Sequence, residues 1–276
     1  MRSGMRSNLR KIIFVVIIFI CIISLGFIIE TELIKDSANP AKEDTEIIEE
    51  EELEENFNNI FENNISLNNN DLTSVIKSDL SKDIIYSSYE NKENKNNYKL
   101  NVNIPQINIK SDVITKINKE IELTFKAKTN NIIESKDNKE QLYTVEYKGY
   151  INYNILSLII KSTLREGENA QRVIIKTYNY NLTTNQEINL KDVLIIKSLD
   201  EDKIQKSIIS KINTVNKEAE ALQATGYSSF TRDIESSIYK IEHTNTFILG
   251  ENMALYLIYP YGNNSYTSQV DMLVIK

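Results

Sequence analysis

Glu146, Glu166 and Glu168 are the residues whose type and spacing come closest to a catalytic device. Cleavage of a glycosidic bond needs only two carboxyl groups about 5 to 9.5 Å apart, one giving a proton and the other attacking or activating water. Glu166 and Glu168 stand in a polar turn between apolar runs, and Glu146 stands in a neighbouring run. Turn acids are usually solvated. The expectation is therefore a chain that is not an enzyme, with carboxylate-dependent cleavage of glycans as the alternative.

Other catalytic parts are scarce. His243 is the single histidine, so a Ser-His-Asp or Cys-His site would have to use it, yet no serine lies in a Gly-x-Ser-x-Gly elbow. The single cysteine, Cys21, lies inside a long apolar run. A zinc site with several His or Cys ligands cannot be assembled, which leaves only carboxylate-bound metals open, and no cofactor is expected. His243 reads as a surface or structural residue at the start of a strand.

Tyrosine is the more telling residue, because all fifteen fall between Tyr86 and Tyr266. A tyrosine offers a flat apolar face with a polar tip, suited to a sugar ring or a protein partner, and it equally suits a strand surface. Tyr143, Tyr147, Tyr178 and Tyr180 alternate with polar residues and are expected to pack inward. Tyr256, Tyr259, Tyr261 and Tyr266, around the Pro260-Tyr261-Gly262 turn, are the expected exposed binding patch.

The elements that must position these residues begin with the eighteen uncharged residues from Ile12 to Ile29. A helix of that length is about 27 Å long, close to the roughly 30 Å apolar core of a bilayer. Arg2, Arg6, Arg10 and Lys11 precede it, and Glu30, Glu32 and Asp36 follow it. The positive-inside bias therefore leaves residues 1–11 in the cytosol and everything after residue 29 outside. The run exceeds the 7–15 residues of a secretory signal core, and no small-x-small cleavage site follows it. An uncleaved transmembrane anchor over residues 12–29 is expected.

Charge divides the rest. The formal net charge is −7, but residues 30–71 hold Lys35 and Lys42 against fourteen acids, whereas 72–276 hold 26 basic and 25 acidic residues. Residues 30–83 read as an acidic, Asn-rich stalk, since blocks of like charge repel and stay extended. Leu53, Phe57 and Ile60 are spaced for one short amphipathic helix within it. The nearly neutral remainder, 84–276, lacks the basic surface that a nucleic-acid partner requires.

Within that remainder, Tyr98, Leu100, Val102 and Ile104 alternate as a half-buried strand should, with Pro105 ending it or placing it at an edge. Ser111 or Asp112 then opens a helix with Ile114, Ile117, Ile121, Phe125 and Ile132 on one stripe, to about Glu134. A strand through Tyr143, Val145 and Tyr147 is broken at Gly149. Residues 155–164 read as a central strand, and 172–182 as its neighbour, with Asn185 taking a positive φ in the following turn. Leu190 to Leu194 form a helical turn, and Ile204, Ile208, Ile212 and Val215 a second amphipathic helix. Short strands over 244–249, 253–259 and 269–275 close the chain. This order predicts an α+β domain, a mainly antiparallel sheet with two amphipathic helices on one face.

The stretch Tyr178 to Leu194 (YNYNLTTNQEINLKDVL) resembles a signature of the external domain of RsiV-type anti-sigma factors, which also occurs in PdaC-type peptidoglycan deacetylases. IPQI at Ile104, ILSL at Ile155 and FILGENMALYLIYPYG from Phe247 are similar to their entry motif, central strand and final hairpin, in the same order. Thr184-Asn185 stands where those proteins prefer Thr-Gly. The resemblance implies an α+β domain of the bacterial cell envelope that, in RsiV, binds lysozyme as a sensor. Eleven residues before the apolar run are too few for a sigma-binding helix, and no deacetylase part follows. The expectation is a membrane-anchored, extracytoplasmic binding or sensing domain, its partner a cell-wall component or a protein such as lysozyme. The alternatives are a carboxylate enzyme on wall glycans and an accessory subunit of another membrane protein.

Overall fold

The computed structural model describes residues 57–61, 65–68, 72, 75–135, 139–260 and 268–276. The apolar run 12–29 and the acidic residues up to 56 lie outside them. Among the described residues no helix is long and apolar enough to cross a membrane.

One sheet contains β1 (Ile65–Asn68), β2 (Ile85–Asn94), β3 (Tyr98–Ile107), β4 (Gln141–Asn152), β5 (Ile155–Glu166), β6 (Arg172–Asn181) and β7 (Gln186–Glu187). They run in the order β2-β3-β4-β5-β6-β7, with β1 beside β4. The pairing is antiparallel except for β3 with β4 and β1 with β4. Parallel neighbours need a crossover. Here it is α1 (Asp112–Ile121), a π-helical turn (Glu122–Lys126) and α2 (Ala127–Glu134). The second sheet holds β8 (Phe247–Leu249), β9 (Leu255–Pro260) and β10 (Val270–Ile275) in the order β10-β9-β8. Between the sheets in sequence come α3 (Leu190–Ile196), closed by an Asn189/Asp192 capping box, and α4 (Glu201–Ala224), capped by Asp200.

Side-chain alternation dictates the layering, since successive residues of a strand point to opposite faces. Leu156, Leu158 and Ile160 of β5 join Tyr143, Val145 and Tyr147 of β4 under Ile114, Ile117, Ile121 and Phe125. Ile159 and Tyr150, on the other face, pack against Ile248, Tyr256 and Ile258 of the second sheet. The far face of that sheet, Leu255, Leu257 and Tyr259, is covered by Ile204, Ile208 and Ile212 of α4. The layers are helix, sheet, sheet, helix.

The α+β class and mainly antiparallel pairing match the expectation, but the two helices do not share one face. Each covers the outer face of a different sheet, because the strands after residue 244 are apolar on both sides and form a layer of their own. The segment Phe57–Phe61, read as stalk, is a short 3₁₀ helix whose Phe57, Ile60 and Phe61 are buried between the sheets. Three apolar side chains in five residues outweigh the acidic surroundings. Gly149 does not break its strand. A Cβ there would collide with Cδ1 of buried Ile85, so the glycine makes room for β2 within an unbroken β4. Pro105 lies inside β3, opposite a bulge in β2 and past Val102, the last residue paired with β4. Its missing N–H costs no ladder bond on the β4 side. Just beyond, the side chain of Asn118 accepts from Ile107 N–H at 2.9 Å and donates to Ile107 C=O at 2.8 Å, so a helix amide finishes the strand.

A buried ion pair ties the C-terminal strand to the segment after α4. Arg232 donates to Asp271 from Nε at 3.0 Å and Nη2 at 2.8 Å, and the Tyr239 hydroxyl donates to the same carboxylate at 3.1 Å. Removing one partner leaves an uncompensated buried charge. Asp271→Ala is expected to cost about 3–5 kcal/mol in urea unfolding, and Arg232→Met with Asp271→Leu to cost less than that single change. Gly250 carries a second expectation, because a Cβ there would strike the ring of buried Tyr256. Gly250→Ala should lose about 1–3 kcal/mol, and less when Tyr256→Leu clears the space, as a double-mutant cycle will read.

Candidate functional site

The three acids singled out by sequence are held apart. Glu146 pairs across the ladder with Lys161, its carboxylate 2.6 Å from the ammonium, while Glu166 lies opposite Gln141. Five residues of β4 separate the two positions, roughly 17 Å at about 3.4 Å per residue, and an odd separation sends the side chains to opposite faces. No glycosidase pair spans that distance. Glu166 is gripped by Lys128 at 3.2 Å and by Arg172, and Glu168 is exposed on the turn. His243 is exposed with Glu242 3.7 Å away. Among the described residues no group of three His, Cys, Asp or Glu side chains could hold a metal ion.

Tyrosine placement is split. Tyr143, Tyr147, Tyr178 and Tyr180 pack inward as expected. Tyr256 and Tyr259 do so as well, at 5% and 4% exposure, which corrects the expected exposed patch. Both faces of β9 are covered, one by the first sheet and the other by α4, so no register of that strand leaves a tyrosine in solvent. Tyr261 and Tyr266 lie outside the described residues. Burial pushes the Tyr259 phenol up to about 12 against a hydrogen bond with Thr244. It does the same for Tyr143 against Ser162. Burial first, then the Glu120 carboxylate, pushes Tyr178 up too.

Tyr153 and Tyr227 are exposed, 71% and 68% accessible, and Tyr153 stands in the two-residue turn between β4 and β5 with φ of 50°. A bulky residue in the left-handed region is uncommon. The dipeptide Tyr153-Asn154 between two alternating runs is a turn signal, but nothing in it indicates exposure of the ring.

A polar cavity of about 330 Å³ lies at one end of the first sheet. Lys128, Asn131 and Ser135 of α2 and its C-terminus line one side; Gln141, Glu166 and Asn169 line the other. Gln141 is 8% exposed. With Glu166 anchored by two cations, the cavity offers amides, an ammonium and a fixed acceptor. It can hydrogen-bond a polar ligand. Sequence reasoning found Glu166 alone, because Lys128 reaches it through the crossover helix and Gln141 through the register of β4 with β5.

No protein-family model and no curated protein matches this chain. Among solved structures it is similar to a DUF3298 family protein from Pseudomonas aeruginosa PAO1, with 13% identity and a TM-score of 0.41, covering 66% of this chain and 83% of that one. It is also similar to a DUF3298 member from Bacteroides fragilis, with 15% identity and a TM-score of 0.36, covering 64% of this chain and 80% of that one.

The buried phenols set an alkaline limit. Unfolded tyrosine ionises near pH 10, so above that pH unfolding releases protons that folded Tyr143 and Tyr259 retain. Stability that is complete below pH 10 should fall as pH rises from about 10 to about 12. Urea midpoints measured across that window, beside tyrosinate absorbance, check this. An unchanged midpoint would contradict it.

Proposed function

We propose that this chain is a single-pass membrane protein, N-terminus cytosolic, whose extracytoplasmic domain works by binding or sensing in the bacterial cell envelope. Its ligand is a wall component or a protein such as lysozyme. The observation that carries the reading is the uncharged run from Ile12 to Ile29, with four basic residues before it and acids after it. The acidic stretch before Phe57 then acts as a spacer. Binding is supported over turnover by the separation of Glu146 from Glu166 and by the ion pairs that occupy Glu166. The polar cavity beside Gln141 suits a hydrogen-bonding ligand, and Tyr153 presents a rigid amphipathic ring.

The test uses the full chain in mild detergent, passed over purified peptidoglycan and over immobilised lysozyme in parallel. Retention by one of them is expected, with no glycan fragments released, and Gln141→Ala is expected to weaken retention about tenfold if its amide makes a direct hydrogen bond. Release of soluble glycan would establish an enzyme instead. Retention by neither, with co-purification of another membrane protein, would make the chain an accessory subunit.

A further inference from the structure

The outer edge of β6 is unpaired over most of its length. β7 covers it only at Tyr180 and Asn181. Ile188 N–H donates to Asn179 C=O at 2.9 Å, which fixes the odd-numbered residues of β6 as those whose backbone groups point outward. Continuing that alternation, the N–H and C=O groups of Thr177, Ile175 and Val173 have no hydrogen-bond partner among the described residues. The usual edge protections are weak here. Lys176 is drawn off to Glu120 and Arg172 to Glu166, and between them Ile174 is 47% exposed. A β-branched edge with free backbone groups is a template for another strand.

We propose that this edge pairs with the same edge of a second copy, β6 against β6 in antiparallel register about a two-fold axis at Ile175. The sequence is self-complementary in that register. Ile175 meets Ile175, and Val173 meets Thr177, so every free N–H and C=O on one copy finds its counterpart on the other. On the opposite face Ile174 stands across from Lys176, and Arg172 across from the ring of Tyr178, with no like charges opposed. An isologous contact of this kind uses the same edge on both copies and closes at two. It does not depend on what the domain binds or on the membrane anchor.

Two substitutions at the exposed Ile174 separate pairing from packing, since neither touches the core. Ile174→Lys opposes Lys176 twice across the axis, whereas Ile174→Glu forms two attractive pairs there. In sedimentation equilibrium of the full chain in detergent, Ile174→Lys is expected to raise the dimer dissociation constant about tenfold, and Ile174→Glu to leave it unchanged or lower it. Hydrogen exchange at Val173, Ile175 and Thr177 should slow as protein concentration rises through the same range. A chain that stays monomeric, two variants that behave alike, or amides already protected in the monomer would each overturn the proposal.

Discussion

The arrangement depends on how β8 is attached to the first sheet. Its inner edge faces protein, and every outward backbone group on it is met by a side chain. Phe247 N–H donates to Thr177 Oγ1 at 3.3 Å and its C=O accepts from Asn179 Nδ2 at 2.9 Å. Leu249 N–H donates to Ser157 Oγ at 3.1 Å and its C=O accepts from Asn152 Nδ2 at 3.2 Å. Ser157 in turn donates to Asn179 at 2.6 Å, with both residues buried. An unmet buried group costs about 1–3 kcal/mol, so a slip of β8 by one residue would forfeit several bonds at once. The apolar contacts between the sheets supply area; these four side chains supply register.

With β8 pinned, the rest of the second sheet follows. β9 and β10 pair outward from it, α4 covers their far face, and the Arg232–Asp271 pair locks β10 to the segment that returns from α4. A rigid sandwich results, and function is left to its ends and edges. The polar cavity opens at one end, Tyr153 projects from the turn between β4 and β5, and the outer edge of β6 remains unpaired. The two edges contrast in chemistry: β8 is satisfied by amides and hydroxyls from its own chain, and β6 is guarded by charges already engaged elsewhere.

Alternation made β3 and β6 readable, the apolar run 155–164 made β5 readable as a central strand, and the stripe from Ile114 to Ile132 made the crossover helix readable. Asn185 does adopt a positive φ, 57°, as its turn requires. β2 escaped because IYSSYENKEN is polar almost throughout, as an edge strand can be. The division into two sheets was hidden for the opposite reason: Phe247–Leu249 and Leu255–Tyr259 are apolar on both faces, so no periodicity shows which layer they join. That misplaced Tyr256 and Tyr259. Nothing in sequence sets Asn152 and Asn179 apart from the many other asparagines, yet they bind β8. The relation of Glu146 to Glu166 required strand register, which only pairing reveals.

Amide hydrogen exchange at Phe247 and Leu249 is the most direct measurement of this arrangement. If the four side chains hold β8 to the first sheet, both amides exchange only through global unfolding, with an opening free energy equal to that from urea denaturation. Asn179→Ala, which frees the Phe247 carbonyl and removes the acceptor of Ser157, should lower both values together. Exchange through a local opening well below the global stability, or an Asn179→Ala chain with unchanged protection, would contradict the account.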